Sequence, residues 1–218
     1  MVVAAGPDAG GRMTILEDVA CYYSGKFAEH GATAQGVDWN SVESQELRFR
    51  QLLKVCDGGD EPFSITDYGC GYGALVPYLR RCGHDFVYHG YDFSQALLEY
   101  ARTTHADPPR IEFTETLATL EPTDYTVASG IFNVKLDTDD RAWLGLMLET
   151  LERIAGLSRR GFAFNALTRY SDPERMRPDL YYADPAFLFD HCKTHYSRNV
   201  ALLHDYGLYE FTVIVRPG

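Results

Sequence analysis

Apolar positions along this chain fall into two spacings. Some form short continuous runs, as buried strands do, and others recur every third or fourth residue, as on one face of a helix. Helical spacing over 14–30, through Ile15, Val19, Tyr22, Tyr23 and Phe27, predicts a first helix closed by Gly31. Asn40 with Glu43 resembles a capping box, so a second helix is expected over 40–56. After the turn-like stretch 57–62, strands and helices alternate: strand 63–69, helix 74–82, strand 86–92, helix 94–104, and strands 110–115 and 124–130. Helix 139–155, with Trp143, Leu146, Met147, Thr150, Leu151 and Ile154 on one face, leads into strand 161–167. Helix 185–196 and strands 201–205 and 209–216 complete the chain. This alternation predicts an α/β fold built on a doubly wound, mostly parallel sheet.

Two interruptions of the pattern matter. Tyr206 and Gly207 are too few to carry a parallel crossover, so the last two strands must form a hairpin and one strand must run antiparallel. Residues 168–184 are polar and proline-bearing, longer than most connections, and they leave the carboxyl end of a central strand. Long loops in that position are often functional.

At 218 residues, 45% hydrophobic and 23% charged, the chain suits one soluble domain. Residues 1–13 read as a disordered tail. Residues 14–218 read as a single domain, with a helical cap over 14–56 and a sheet core over 60–217. No apolar run approaches the roughly 18 residues of a membrane span, and the start is unlike an export signal. Five cysteines, an odd number without a CxxC pair, suit reduced thiols in a cytoplasm, and the seven histidines show no metal-binding spacing. A net charge of −11 and a pI near 5.0 repel phosphates, which favours a small-molecule partner over nucleic acid. Composition leaves the oligomeric state open.

The densest chemical signal is ITDYGCGYGAL over 65–75, an acid and three glycines where a strand turns into a helix. Gly69 and Gly71 allow a ligand to approach bare backbone, while Gly73 lets the helix pack close to the sheet. Asp92 ends the next strand, 19 residues past Gly73, where an acid can hydrogen-bond ribose hydroxyls or cap the following helix. Gly69, Gly71 and Ala74 also satisfy the dinucleotide pattern GxGxxG/A. A diphosphate over the turn would be repelled by Asp67, however.

With Asp67 in place, DxGxGxG resembles motif I of the class I S-adenosylmethionine-dependent methyltransferases that act on small molecules. The resemblance covers roughly 60–217 and implies a Rossmann-like, seven-stranded sheet with S-adenosyl-L-methionine as cofactor. It implies that Asp67 lies near the cofactor's ammonium group, and that the turn Gly69, Cys70, Gly71 and Gly73 faces the cofactor, Cys70 as a small residue without redox work. Asp92 and Phe93 would meet the ribose, and Glu115 and Thr116 the adenine. Ser129 and Ile131 would lie beside the cofactor, with Asn133 at the mouth where methyl transfer occurs. Arg48 would reach the cofactor carboxylate. Aromatic faces suit a sulfonium and flat acceptors, which adds Tyr22 to the cofactor set and Tyr170 and Tyr182 to the acceptor set. The N-terminal helices and 168–184 would together form a lid. The expected chemistry is direct in-line displacement, for which no catalytic base is assigned. Two other readings remain open from sequence: a nicotinamide-dependent oxidoreductase, and a noncatalytic domain that binds an S-adenosyl ligand.

Overall fold

The structure, a computed structural model, describes residues 9–56 and 61–218. Its helices are α1 (Ala9–His30), α2 (Val42–Leu52), α3 (Leu75–Arg81), α4 (Gln95–His105), α5 (Asp140–Gly156) and α6 (Pro185–His195). Its strands are β1 (Phe63–Tyr68), β2 (Phe86–Tyr91), β3 (Ile111–Thr114), β4 (Thr123–Ala128), β5 (Ser158–Leu167), β6 (Asn199–Leu203) and β7 (Glu210–Arg216). All seven strands join one sheet in the order β3-β2-β1-β4-β5-β7-β6. Pairing is parallel from β3 through β5, and β7 runs antiparallel to both β5 and β6. The doubly wound, seven-stranded sheet expected from the pattern is present, and its reversed strand is β7.

Strand alternation sorts the core onto two faces. On β5 and β7, Ala163 and Ile214 face a cluster with Leu52 of α2, Leu75 and Leu79 of α3 and Leu98 of α4. Their neighbours Phe162, Phe164, Val213 and Val215 face the other way, against Met147 and Leu151 of α5 and Leu188 of α6. Both faces are covered, so the central strands read as continuous apolar runs. Fully burying a side chain such as Leu151 contributes roughly 1.5–3 kcal/mol.

Helix starts follow local chemistry. Asp139 caps α5 by accepting from Arg141 N, and Asp184 caps α6 by accepting from Ala186 N, with Pro185 in the first turn. At α2 the expected capping box is displaced by one residue. Ser41 and Ser44 bond each other's backbone N–H at 3.2 and 3.3 Å, with Ser41 in the extended backbone that an N-cap requires.

Other expectations shift too. The first helix begins at Ala9, so 9–13 are helical rather than tail, while 1–8 and most of the turn 57–62, residues 57–60, lie outside the described residues. The hairpin loop spans 204–209, wider than Tyr206 and Gly207. The segment 168–184 is tied down by its backbone. Lys135 N and Leu136 N both donate to Asp179 O, Tyr181 N donates to Asn133 O, and Ala183 N donates to Leu167 O. Main-chain pairing leaves no side-chain period, which is why the pattern marks only an interruption there. Among the described residues no helix is long and apolar enough to cross a membrane.

The connection after β1 goes to β2 on one side and that after β4 goes to β5 on the other, so the sheet order reverses between β1 and β4. A crevice at the strands' carboxyl ends is the usual ligand position in such sheets.

Candidate active site

That crevice is framed by the glycine turn after β1. Gly69 N and Cys70 N donate to Tyr91 O at 2.7 and 2.9 Å, which fastens the turn to the end of β2. Asp92 completes the frame, accepting from Gly71 N at 2.8 Å through one carboxylate oxygen and from Ser94 N at 2.9 Å through the other. Asp92 thus supports the start of α4, leaving the Ser94 hydroxyl to pair with Ser24 of α1 at 2.9 Å. Gly71 has φ +54, and a Cβ there would meet only Val37, at 3.4 Å. The space beside its backbone is open to a ligand. A Cβ on Gly73 would instead strike His105 and Phe113, so Gly73 serves packing, as the sequence suggests, and does not line the cavity.

Two buried carboxyls face this space. Burial pushes Asp67 up to about 7, opposed by a hydrogen bond from the Tyr88 hydroxyl and reinforced by Asp92. Burial also raises Asp92, while the backbone N–H groups of Ser94, Gly71 and Phe93 hold it down. Ser129 Oγ is buried without a hydrogen-bond partner among the described residues. A cationic, hydroxyl-bearing ligand suits this set, because it would neutralise the acids and engage the orphaned hydroxyl.

The first cavity, about 120 Å³, runs along the glycine turn and the loop after β4. Leu16, Val19, Ala20 and Tyr23 of α1 cover it, with Trp143 and Met147 of α5 behind the loop. A second cavity, about 400 Å³, adjoins it and shares Tyr23, Val37 and Trp39 with it. Its other walls are mostly polar, including Asn133, Arg175, Arg177 and Tyr182, with Val134, Leu167 and Leu180 among them.

A buried network fixes the wall between them. The Trp39 ring lies against Gly130, where a Cβ would sit 2.3 Å from the indole. The Arg48 guanidinium stacks 3.9 Å from the Trp39 ring centre. Arg48 donates to both Glu210 oxygens at 2.8 and 2.6 Å and to Ser44 O at 2.8 Å. Glu210 also accepts from Asn165 Nδ2 at 2.8 Å, and Asn165 Oδ1 accepts from Gly130 N at 2.7 Å. Chain segments before, within and at the end of the sheet thereby hold the loop after β4. Asn133 continues the loop, its Oδ1 accepting from Leu167 N at 3.1 Å.

Of the residues assigned from sequence, Asp67, Gly69, Cys70, Gly71, Asp92, Phe93, Ser129 and Ile131 line the first cavity. Asn133 and Tyr182 line the second. Six others, Gly73 among them, do not line the cavity expected of them. Tyr22 turns away to donate to Asp38 at 2.8 Å, and its neighbour Tyr23 faces the cavity in its place. Arg48 is committed to Glu210 and borders the second cavity, not the first. Glu115 and Thr116 are exposed beyond β3, away from the first cavity's lining. Tyr170 is 68% exposed and lies beside His204, outside both cavities.

Spacing alone separates Tyr23 from Tyr22, since Leu16, Val19, Ala20 and Tyr23 form an i, i+3, i+4, i+7 stripe that Tyr22 leaves. Asn165 and Glu210 carry a signal that motif spacing does not, a polar residue inside or bounding an apolar strand run.

Known proteins fit this frame. A family model described as a methyltransferase domain matches residues 65–152. The chain belongs to the methyltransferase family. It is 51% identical, over 166 residues, to a Mycobacterium tuberculosis (strain ATCC 25618 / H37Rv) protein named "Putative methyltransferase Rv1506c", covering 76% of this chain and 99% of that one. The fold is similar to magnesium protoporphyrin IX methyltransferase (ChlM) from Synechocystis PCC 6803 with bound SAH, at TM-score 0.58 and 13% identity over 97% of this chain and 100% of that chain. It is also similar to the DhpI-SAM-HEP complex, at TM-score 0.62 and 16% identity, covering 93% and 98% of the two chains.

Proposed function

We propose that the protein transfers a methyl group from S-adenosyl-L-methionine to a small-molecule acceptor. The cofactor is S-adenosyl-L-methionine, a reading supported by the family, by the SAM and SAH in the names of the structural neighbours, and by the residues of the first cavity. The observation that carries it is the pairing of buried Asp67 and Asp92 around the open backbone of Gly71. Asp67 faces the cofactor's ammonium group. Asp92 holds the turn by its two backbone hydrogen bonds and offers its remaining lone pairs to ribose hydroxyls.

When bound, the cofactor supplies both the methyl group and its own leaving group. The chain's part is alignment and exclusion of water, effects worth roughly 7 to 11 kcal/mol where alignment is good. Trp39 and the loop after β4 set the boundary at which the two reactants meet, and α1 covers one side of the first cavity. We assign no catalytic base. A cytoplasmic location belongs to the same reading, supported by an odd number of cysteines without a CxxC pair.

Calorimetry tests the assignment. S-adenosylhomocysteine should bind 1:1 with a dissociation constant in the micromolar range or tighter, about −8 kcal/mol or beyond, and reduced nicotinamide dinucleotide should give no heat. Absence of heat with either S-adenosyl ligand, from folded protein, would exclude the reading. Tight binding without turnover on any acceptor would favour a noncatalytic domain.

A further inference from the structure

The second cavity is chemically unlike the first. In a chain of net charge −11, its lining carries Arg48, Arg175 and Arg177 against Asp38 and Glu210. Arg48 and Glu210 neutralise each other in the buried network. That leaves two arginines from the 168–184 segment against Asp38, which Lys26 also holds, at 3.1 Å.

Arg175 is the less engaged of the two, while Arg177 donates to Asp179 through Nε and Nη2 and keeps its Nη1 edge toward the cavity's Asp38. Arg175 lies 4.0 Å from Asp172, beyond hydrogen-bond reach, with its guanidinium 5.7 Å from the Tyr209 ring centre. Arg177 is paired with Asp179 and stands 3.8 Å from Asp38. Both side chains are about half exposed or more, and exposed pairs of this kind are weak enough for a ligand to displace. A guanidinium fork matches a carboxylate or phosphate in two parallel hydrogen bonds. Tyr182 stiffens the segment by accepting from Arg177 N at 2.9 Å, and Leu180 bridges to Val134 next to Asn133. The arginines are therefore carried on backbone anchored to the loop that borders the first cavity. At about 400 Å³ the second cavity has room for a small molecule.

We propose that this cavity is the acceptor site and that it selects acceptors bearing an oxyanion, a carboxylate or phosphate, held by Arg175 and Arg177. The atom to be methylated then reaches toward Tyr23 and Trp39, the boundary that the two cavities share. The proposal rests on the first cavity being the cofactor site.

The test uses full-length protein loaded with S-adenosylhomocysteine and two matched probe pairs, 4-hydroxybenzoate with 4-hydroxybenzamide and phenyl phosphate with phenol. Binding is followed by ligand-observed nuclear magnetic resonance titration. At least one anionic probe should bind tenfold or more tighter than its neutral partner. The pair that shows the larger preference tells carboxylate from phosphate. Arg175→Gln with Arg177→Gln should remove the preference while S-adenosylhomocysteine affinity stays within twofold. Equal binding of anionic and neutral probes, binding of none of them, or a preference that survives both substitutions would overturn the proposal and leave the cofactor reading standing. Failure of the unsubstituted protein to bind S-adenosylhomocysteine would overturn the cofactor reading and this proposal together.

Discussion

The two cavities meet at Trp39 but are built by different means. The first is made where strand ends meet helix starts, from the turn after β1, Asp92 after β2 and the loop after β4, so its residues are fixed by the sheet itself. The second is made largely from what lies outside that pattern: the segment before α2, the stretch 168–184, and Tyr209 with Glu210 where β7 begins. Residues placed by a sheet edge suit a constant ligand. Residues placed on connecting segments suit one that differs between relatives. The buried Arg48–Glu210–Asn165 network joins the two, passing from α2 through the sheet to the Gly130 peptide.

The sharpest break in that comparison should come from Gly71→Val. The side chain enters the open space beside the turn, and a β-branched residue is strained at φ +54. Cofactor affinity should fall beyond calorimetric detection while the far-ultraviolet circular dichroism of the sheet is retained. Probe binding in the second cavity should persist, and its joint loss would mean the two cavities are not separable.

Arg48→Ala attacks the joint itself. Glu210, 1% exposed in the intact fold, would be left with Asn165 as its side-chain partner, and breaking a buried pair on one side costs roughly 3–5 kcal/mol. Urea unfolding should register that loss. A change near zero would mean that water replaces the guanidinium and that the network is ornamental. Asp92→Ala should act on the first cavity alone, weakening cofactor binding by about 1–3 kcal/mol through lost hydrogen bonds to the turn and ribose. An unchanged affinity would place the ligand elsewhere.

Asp67 gives the comparison a pH dependence. With its carboxyl pushed up to about 7 by burial, the ligand-free protein holds it protonated at lower pH. A cationic ligand favours the ionised form, so association releases a proton below that value. Affinity should therefore rise about tenfold per pH unit from pH 5 to 6 and level off above about 7. Calorimetry in buffers of different ionisation enthalpy checks the proton count, and Asp67→Asn should flatten the profile. In the ligand-free fold the neutral carboxyl is the stabler form. Its contribution to stability is fully present below 3.8, the ordinary value, and is lost as pH rises through about 7. Burial sets this behaviour, with the Tyr88 hydrogen bond opposing the rise and Asp92 adding to it.

Legibility from sequence follows the same division. Seven strands, the reversed strand and the glycine turn are written in local periodicity and in glycine spacing, and the structure contains them. The residues of the first cavity could be placed because motif spacing ties them to strand ends. Arg48 could not. Its partner Glu210 is 162 residues away, and no local pattern reports such a pairing, so an arginine on a helix face reads equally as free or committed. Tyr22 and Tyr23 are the same residue type, so only helical phase separates them. Glu115 and Tyr170 share another difficulty: both end or follow a strand, and how far past the sheet edge a side chain faces a cavity depends on backbone turns without a sequence period. The arginines of 168–184 were hidden for a similar reason, since main-chain bonds to 133–136 fold that segment back over the site.

Hydrogen exchange measured by mass spectrometry, with and without S-adenosylhomocysteine, tests the division of the site most directly. Ligand in the first cavity should slow exchange at 69–71 and across α1 and the following segment, residues 14–50, while 171–182 change little until an acceptor-site probe is added. Slowed exchange at 171–182 with the glycine turn unaffected would contradict the account, because the cofactor would then occupy the polar cavity.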